Sequence, residues 1–228
     1  KKTENLAWFI LILSFMPHGV RISLIPLGIR WGIRNSNRGL YIVLQTRSGS
    51  VTYQQSRSTH AVLIPDRIEI MPGDQIQLTT SDANAVLLFY HPDNIEVPLA
   101  TVQIYDRSTL TVLDAKTPRF SSSELSHAIN LEILSTHNTQ ISLESDDRPV
   151  EMQVQTPDTV VALSDSAYTF SVPGYQTDLV VREGLAKVTD PTTDDPIVLV
   201  NGQRTTITQT GLGEIYVGEY DIIHTHGG

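Results

Sequence analysis

The chain has 228 residues, of which 40% are hydrophobic and 18% charged, so it can bury a sizeable core and is too apolar to stay disordered. It contains no cysteine, which excludes disulfides, thiolate catalysis and cysteine-ligated zinc. The net charge is −9, but residues 1–38 carry six basic groups and one acid, so the other 190 residues carry −14. Because such an acidic body repels phosphate backbones, we expect no nucleic-acid partner.

Residues 1–38 predict an N-terminal membrane-anchor helix with a basic flank, which would also contact membrane lipid. The run LAWFILILSFM at 6–16 is uncharged, but a spanning helix needs about 20 mostly apolar residues. That length is reached only by including Pro17 and Arg21, which predicts a kinked transmembrane helix. An uncleaved signal-type segment, a hairpin in the membrane interface and a buried helix of a soluble domain remain as alternatives.

Three side chains of this segment have predicted positions in the membrane. An arginine deep in a bilayer costs about 2.5–3.5 kcal/mol and usually faces a protein partner or water, so Arg21 is predicted to contact another membrane subunit, with snorkelling as the alternative. Trp8 and Trp31, the only tryptophans, are expected at the two membrane interfaces. Basic residues flank both ends of the apolar run, so the flanking charges conflict over topology.

From residue 40 onward, short β-rich runs alternate with turn residues. Many have an apolar residue at every second position, as a half-buried strand requires. The runs span residues 41–46, 49–54, 61–65, 67–70, 75–80, 85–90, 99–105, 110–115, 129–134, 140–145, 150–156, 159–164, 168–172, 178–183, 186–190, 197–200 and 204–210. They predict an all-β sandwich or β-roll of many short strands after the single anchor helix.

The β-domain is expected over residues 39–210, either as one body or as two packed subdomains at about 39–120 and 121–210. Residues 121–129, SSSELSHAI, are the candidate for a short helical turn within it. Residues 211–228 form a C-terminal tail that would dock as an extra strand or bind a partner by strand addition.

Three dipeptides are predicted to form tight turns. Asn201-Gly202 and Glu183-Gly184 are expected to be hairpin turns, because glycine adopts the left-handed conformation that such turns require. Gly73-Asp74 is expected to do the same between the runs at 67–70 and 75–80. These six residues are therefore interpreted as structural.

The turns and strands together resemble the FecR-type domain. The matching segments are GSVTYQ (49–54), IMPGDQIQLTTSDANAVLLF (70–89), VQTP (154–157), SAYTFSV (166–172), TDLVVREGLAKV (177–188) and NGQRTTI (201–207). Ser166 stands where the family usually has glycine. The resemblance implies a β-rich module outside the cytoplasmic membrane, tethered by one N-terminal helix, that relays a signal or scaffolds an envelope assembly.

No motif of catalysis or cofactor binding is evident, so we expect no enzyme, no catalytic residue and no cofactor. The sequence has no HExxH, no GxSxG and no phosphate-binding glycine loop. His224 and His226 are weak candidates for a metal site, with a flexible tail as the alternative. The acidic pairs Asp146-Asp147 and Asp194-Asp195 are interpreted as solvated loops, with calcium binding as the alternative.

The sequence therefore favours a non-enzymatic, single-pass protein of the cell membrane whose C-terminal β-domain lies on the extracytoplasmic side. It would act as a sensor or scaffold through contacts with other membrane or envelope proteins. One alternative is an accessory subunit of a larger membrane complex, and another is a β-sandwich that binds glycan or peptidoglycan. The sequence does not indicate a small-molecule ligand.

Overall fold

The structure is a computed structural model that describes residues 35–164 and 166–218. The predicted anchor helix, with Trp8, Arg21 and Trp31, lies outside these residues, as do His224 and His226. Within the two described ranges, no helix is long and apolar enough to cross a bilayer.

The chain divides into two compact units. The first comprises Lys1–Arg38 and Pro118–Leu125, and the second comprises Gly39–Thr117 and Ser126–Gly228. In the first unit the N–H of Arg119 donates to the carbonyl of Ser36 at 2.8 Å, and the N–H of Ser123 closes a turn onto the carbonyl of Phe120 at 3.0 Å. The helical candidate at 121–129 is therefore a single turn followed by a strand.

The described residues form an all-β fold, which confirms the predicted class. The strands are β1 Asn37–Gly39, β2 Tyr41–Ser48, β3 Val51–Gln54, β4 Ala61–Leu63, β5 Arg67–Glu69, β6 Gln75–Leu78, β7 Asn84–His91, β8 Asn94–Tyr105, β9 Thr109–Pro118, β10 His127–Leu143, β11 Val150–Gln155, β12 Val160–Ser164, β13 Ala167–Val172, β14 Gln176–Val181, β15 Leu185–Thr189, β16 Pro196–Val200, β17 Gln203–Thr208, β18 Gly211–Leu212 and β19 Tyr216–Val217.

The second unit contains two sheets that share β10. Sheet 1 has the order β4-β3-β6-β9-β10-β11-β12-β15-β16. Sheet 2 has the order β5-β2-β7-β8-β10-β13-β14-β17, with β18 and β19 both pairing beyond β17. Within these orders β10 and β11 run parallel and the other neighbours antiparallel. The first half of β10 pairs in sheet 1 and the second half in sheet 2, so this strand joins the two sheets.

Successive strands often act as one long strand that bends from one sheet into the other. Strands β12 and β13 pair with β15 and β14, with Ser164 opposite Leu185 in sheet 1 and Tyr168 opposite Val181 in sheet 2. Likewise, β14 pairs with β17 in sheet 2, and β15 pairs with β16 in sheet 1. We call the short segment between two such strands a corner. Because the two sheets enclose one core, a corner lets the chain supply apolar side chains from both sides.

The predicted hairpins at Gly73-Asp74, Glu183-Gly184 and Asn201-Gly202 are wrong. In each case the strand before the turn lies in one sheet and the strand after it in the other, so the two do not pair. The glycines do have the expected left-handed conformation, with φ of 93°, 84° and 78° respectively. A left-handed residue redirects the chain, but burial of the apolar side chains decides which sheet the next strand joins.

The two runs predicted at 129–134 and 140–145 are one strand, β10, of 17 residues. Its side chains alternate between buried and accessible, and Ile129, Leu131 and Ile133 are fully buried. The largest fully buried side chains are Tyr168, Phe89 and Phe170. Because burying one large apolar side chain stabilises a fold by about 1.5–3 kcal/mol, this core is the main source of stability.

Candidate functional site

A groove crosses the outer face of sheet 2 close to the edge formed by β17 and β19, and we call it the sheet 2 groove. Its volume is about 340 Å³. It lies across five strands, β10, β13, β14, β17 and β19, so no single stretch of sequence builds it. The lining residues are His137, Thr169, Ser171, Asp178, Leu179, Val180, Arg204, Thr205, Thr206 and Tyr216.

The strand pleat places both polar and apolar side chains on the face that lines the groove. Side chains alternate between the two faces of a strand, so on β14 Leu179 is fully buried while its neighbours Asp178 and Val180 are half-buried. On β13, Thr169 and Ser171 contribute short hydroxyl side chains. Short side chains on a central strand leave a depression between longer ones on its neighbours.

A carboxylate is held in place at the centre of the sheet 2 groove. Asp178 lies directly opposite Thr206 in the β14–β17 ladder, and its Oδ1 accepts a hydrogen bond from the Thr206 hydroxyl at 2.5 Å. Its Oδ2 accepts one from Gln176 Nε2 at 3.2 Å. Each carboxylate oxygen can accept a further bond, so Asp178 can bind a donor from a partner without first reorienting.

Arg204 and Tyr216 form the rim of the groove. The guanidinium carbon of Arg204 lies 5.6 Å from the ring centroid of Tyr216, within the range of a cation–π contact. The Tyr216 hydroxyl donates to Glu214 Oε2 at 2.9 Å. This hydrogen bond, followed by the negative charge of Glu214, raises the pKa of Tyr216. The phenol therefore stays protonated at physiological pH, with 52% of the residue's surface accessible.

The edge of sheet 2 beside the groove is covered by very short pairings. Strand β18 pairs with the last two residues of β17, and β19 pairs with the first two. Between them, the N–H of Gly213 donates to the carbonyl of Thr206 at 2.8 Å. Tyr216–Val217, part of the tail at 211–228, pair with β17 as a short strand. The Thr205 hydroxyl oxygen lies 3.2 Å from the carbonyl oxygen of Gly213 and 3.3 Å from that of Glu214, so the tail is held along β17.

The turn residues singled out from the sequence do not line the groove. Asp74 is buried, and its two oxygens accept the N–H groups of Met71 at 3.0 Å and Ser56 at 3.1 Å, so it fixes its own connection. The N–H of Glu183 donates to the carbonyl of Ala167, and that of Gly202 to the carbonyl of Val181. These contacts stabilise corners and place no side chain for binding.

The sheet 2 groove was not predicted, because its residues are spread over 80 positions from His137 to Tyr216. The sequence does contain a partial signal. Asp178 and Arg204 occupy outward positions of alternating strands, where a polar residue is ordinary, and Tyr216 lies in the tail expected to bind by strand addition. Only the pairing of β14 with β17, and of β17 with β19, brings the three together.

Comparison with known proteins does not assign a family. No family model and no curated protein matches the chain. Two crystal structures, at 2.50 and 1.65 Å resolution, of a "putative anti-sigma factor" from Parabacteroides distasonis ATCC 8503 are structural neighbours. In each case the sequence identity is 13% and the TM-score 0.43, and the match covers 64% of this chain. It spans 60% of the length of that protein.

Proposed function

We propose that this chain is a non-enzymatic, membrane-anchored, extracytoplasmic β-domain of the FecR type that acts as an envelope sensor or scaffold. Its partner is another membrane or envelope protein, and the contact surface is the sheet 2 groove with the edge beside it. The observation that carries the proposal is the Arg204–Tyr216 pair, formed between β17 and β19 at the edge of sheet 2.

The mode of contact is strand addition. An extended segment of the partner adds to the outer edge of β19, the last strand at this end of sheet 2 among the described residues, and gains main-chain hydrogen bonds there. Because β19 stays paired with β17, the Arg204–Tyr216 pair remains in place beside the bound segment.

The side chains at this edge are suited to recognition. Arginine and tyrosine are enriched among the residues that contribute most to protein interfaces, because each combines a large contact area with polar groups. Asp178 and Arg204 place opposite charges in one groove, which specifies the direction of a bound segment that carries charges of both signs. Every second side chain of that segment enters the groove.

A binding role also agrees with how the polar groups of the groove are used. The Asp178 carboxylate is held by Thr206 and Gln176, and the Tyr216 hydroxyl by Glu214. These hydrogen bonds fix the shape of the surface, and preorganised surfaces bind with a smaller entropy cost. A general base, by contrast, has to exchange a proton with a substrate.

Site-specific photo-crosslinking in membranes tests the contact surface. A photoreactive amino acid at Tyr216 should give a discrete cross-link to an envelope or membrane protein. At Tyr175, which is 87% exposed in the turn between β13 and β14, the same probe should give none. The proposal fails if both positions cross-link equally or if neither does. A second test uses Arg204→Glu, which should lower the recovery of the cross-linked partner at least tenfold.

Protease digestion of intact cells tests the proposed topology separately. Digestion of the β-domain from outside is expected, and full protection would contradict an extracytoplasmic location. Recovery of stoichiometric membrane partners in mild detergent would instead favour the accessory-subunit alternative.

A further inference from the structure

A buried histidine and two carboxylates meet where β10 begins. His127 is the first residue of β10 and is 1% exposed. The segment between β10 and β11 carries Asp146 and Asp147. Because β10 and β11 run parallel, with His127 opposite Val150, this segment returns the chain to the start of β10. The N–H of His127 donates to the carbonyl of Pro149 at 3.0 Å, which fastens the segment beside the histidine.

The imidazole ring of His127 contacts three neighbouring side chains. Its Nδ1 lies 3.0 Å from the hydroxyl oxygen of Thr117, which is also 1% exposed. The ring of His91 packs against it edge-on, with 5.9 Å between centroids. Its Nε2 lies 3.2 Å from Asp146 Oδ1. A histidine that binds a metal through one nitrogen typically has its other nitrogen held by a hydrogen bond, and Thr117 provides that bond here.

The three potential ligand atoms lie close enough to share one cation. One atom each from His127, Asp146 and Asp147 lies within 4.8 Å of the others. A zinc ion bonds nitrogen and oxygen at about 2.0–2.2 Å in a tetrahedral arrangement, so its ligands are separated by about 3.3–3.6 Å. The distance of 3.2 Å between His127 Nε2 and Asp146 Oδ1 already approaches that value. The Asp147 oxygen lies within 4.8 Å of the other two atoms, so it has to approach them for all three to share one ion.

We propose that His127, Asp146 and Asp147 bind one divalent transition-metal cation, for which Zn²⁺ is the best fit. One imidazole nitrogen and two carboxylate oxygens are a common ligand set for such ions, with water completing the coordination. Calcium is a poorer fit, because it prefers six to eight oxygen ligands and does not favour imidazole. The bound ion would crosslink the β10–β11 segment to the first residue of β10.

The competing arrangement is a plain hydrogen-bonded pair. If His127 carries its proton on Nε2, it donates to Asp146 while the Thr117 hydroxyl donates to Nδ1, and every group is satisfied without a metal. This arrangement predicts no metal affinity. A metal measurement therefore separates the two.

Titration calorimetry of the full chain with ZnCl₂ at pH 7.5, in a buffer that does not bind zinc, tests the site. We expect one ion per chain with a micromolar dissociation constant, and a rise in melting temperature on saturation. Asp147→Asn should weaken binding at least tenfold. The matched control Asp195→Asn, in the other acidic pair, should bind as the unchanged chain does. Mn²⁺ should bind more weakly than Zn²⁺, and Ca²⁺ weaker still.

Two further variants distinguish this site from the tail histidines and from a loss of folding. A His224→Ala/His226→Ala double variant should retain the ion, and loss of zinc there would place the metal on the tail and overturn the proposal. Because His127 is buried, His127→Gln could unfold the chain, so Asp147→Asn is the deciding variant. Absence of zinc binding up to 1 mM (on the order of the weakest specific metal sites), or equal binding by Asp147→Asn and the unchanged chain, would also refute it.

Discussion

The hydroxyl of Tyr168 connects three strands at one corner of the fold. Tyr168 is fully buried in β13. Its hydroxyl oxygen lies 2.6 Å from the carbonyl oxygen of Leu185 and 2.9 Å from that of Ser164, and it accepts the Ser164 N–H at 3.3 Å. The hydroxyl therefore joins the end of β12 to the start of β15. We expect Tyr168→Phe to destabilise the fold without disturbing the packing of the ring.

The size of the effect follows from the contacts that are lost. Removing the hydroxyl loses one net hydrogen bond, about 0.5–1.5 kcal/mol, and leaves buried backbone groups without a partner, about 1–3 kcal/mol. The two contributions overlap, so the free energy of unfolding should fall by about 2–3 kcal/mol. For a chain of this size, each kcal/mol lowers the melting temperature by about 2–4 °C. The expected decrease is therefore about 5–10 °C.

Urea unfolding followed by circular dichroism, together with scanning calorimetry, measures both quantities. Tyr105→Phe is the matched control, because the Tyr105 hydroxyl donates to Gln103 Oε1 at 2.8 Å on the half-buried outer face. It should cost less than about 0.5 kcal/mol, as surface substitutions usually do. A change of less than about 0.5 kcal/mol for Tyr168→Phe as well would show that the corner hydroxyl does not stabilise the fold.

Four other substitutions test local features of the fold by the same unfolding assay. Gly49→Ala should lower the free energy of unfolding by more than about 3 kcal/mol, because φ is +70° and the new Cβ would lie 2.5 Å from backbone of the β6–β7 connection. Gly202 has a similar φ of +78° but open space around it, so Gly202→Ala should lower it by only about 1–2 kcal/mol. Asp74→Ala should lower the free energy of unfolding by about 2–3 kcal/mol, because two backbone N–H groups lose the carboxylate that accepts their hydrogen bonds. A loss below about 0.5 kcal/mol would contradict this. Hydrogen bonds from the Thr192 hydroxyl and N–H lower the pKa of Asp190 below 3.8. The ionised carboxylate therefore stabilises the fold above its unfolded-state pKa, and this stabilisation is lost as the pH falls through its folded-state pKa. The stability of Asp190→Asn should thus fall less steeply below about pH 4 than that of the unchanged chain, and an unchanged slope would refute this.

The strands of the fold are largely predictable from local patterns. Alternation of apolar and polar residues is sufficient to place β6, β11 and β14, because each has one face in the core and one accessible face. The short strands β18 and β19 were not predicted separately, because two-residue pairings carry no periodic signal. The continuity of β10 was also missed. Polar positions at 135–139 suggested an interruption, whereas buried hydroxyls of Thr136 and Thr139 hydrogen-bond each other at 2.8 Å inside the strand.

The candidate sites were less predictable than the strands. Asp146 and Asp147 were recognised as an acidic pair, but nothing in the local sequence connects them with His127, which is 19 residues away. The parallel pairing of β10 and β11 makes that connection. The same holds for Asp178, Arg204 and Tyr216, which converge only because β14, β17 and β19 are neighbours in sheet 2.

The all-β class and the left-handed conformation of the turn glycines follow from local residue patterns. Period-two alternation has no stable solution other than strands with one buried face, and glycine is the residue that takes positive φ without strain. Whether a turn makes a hairpin or a corner depends on how the two sheets pack. Gly184 and Gly202 bend the chain similarly in either case, and the choice depends on which arrangement buries the apolar faces of β14–β15 and β16–β17 against the opposite sheet. That is a property of the whole core, and no local segment specifies it.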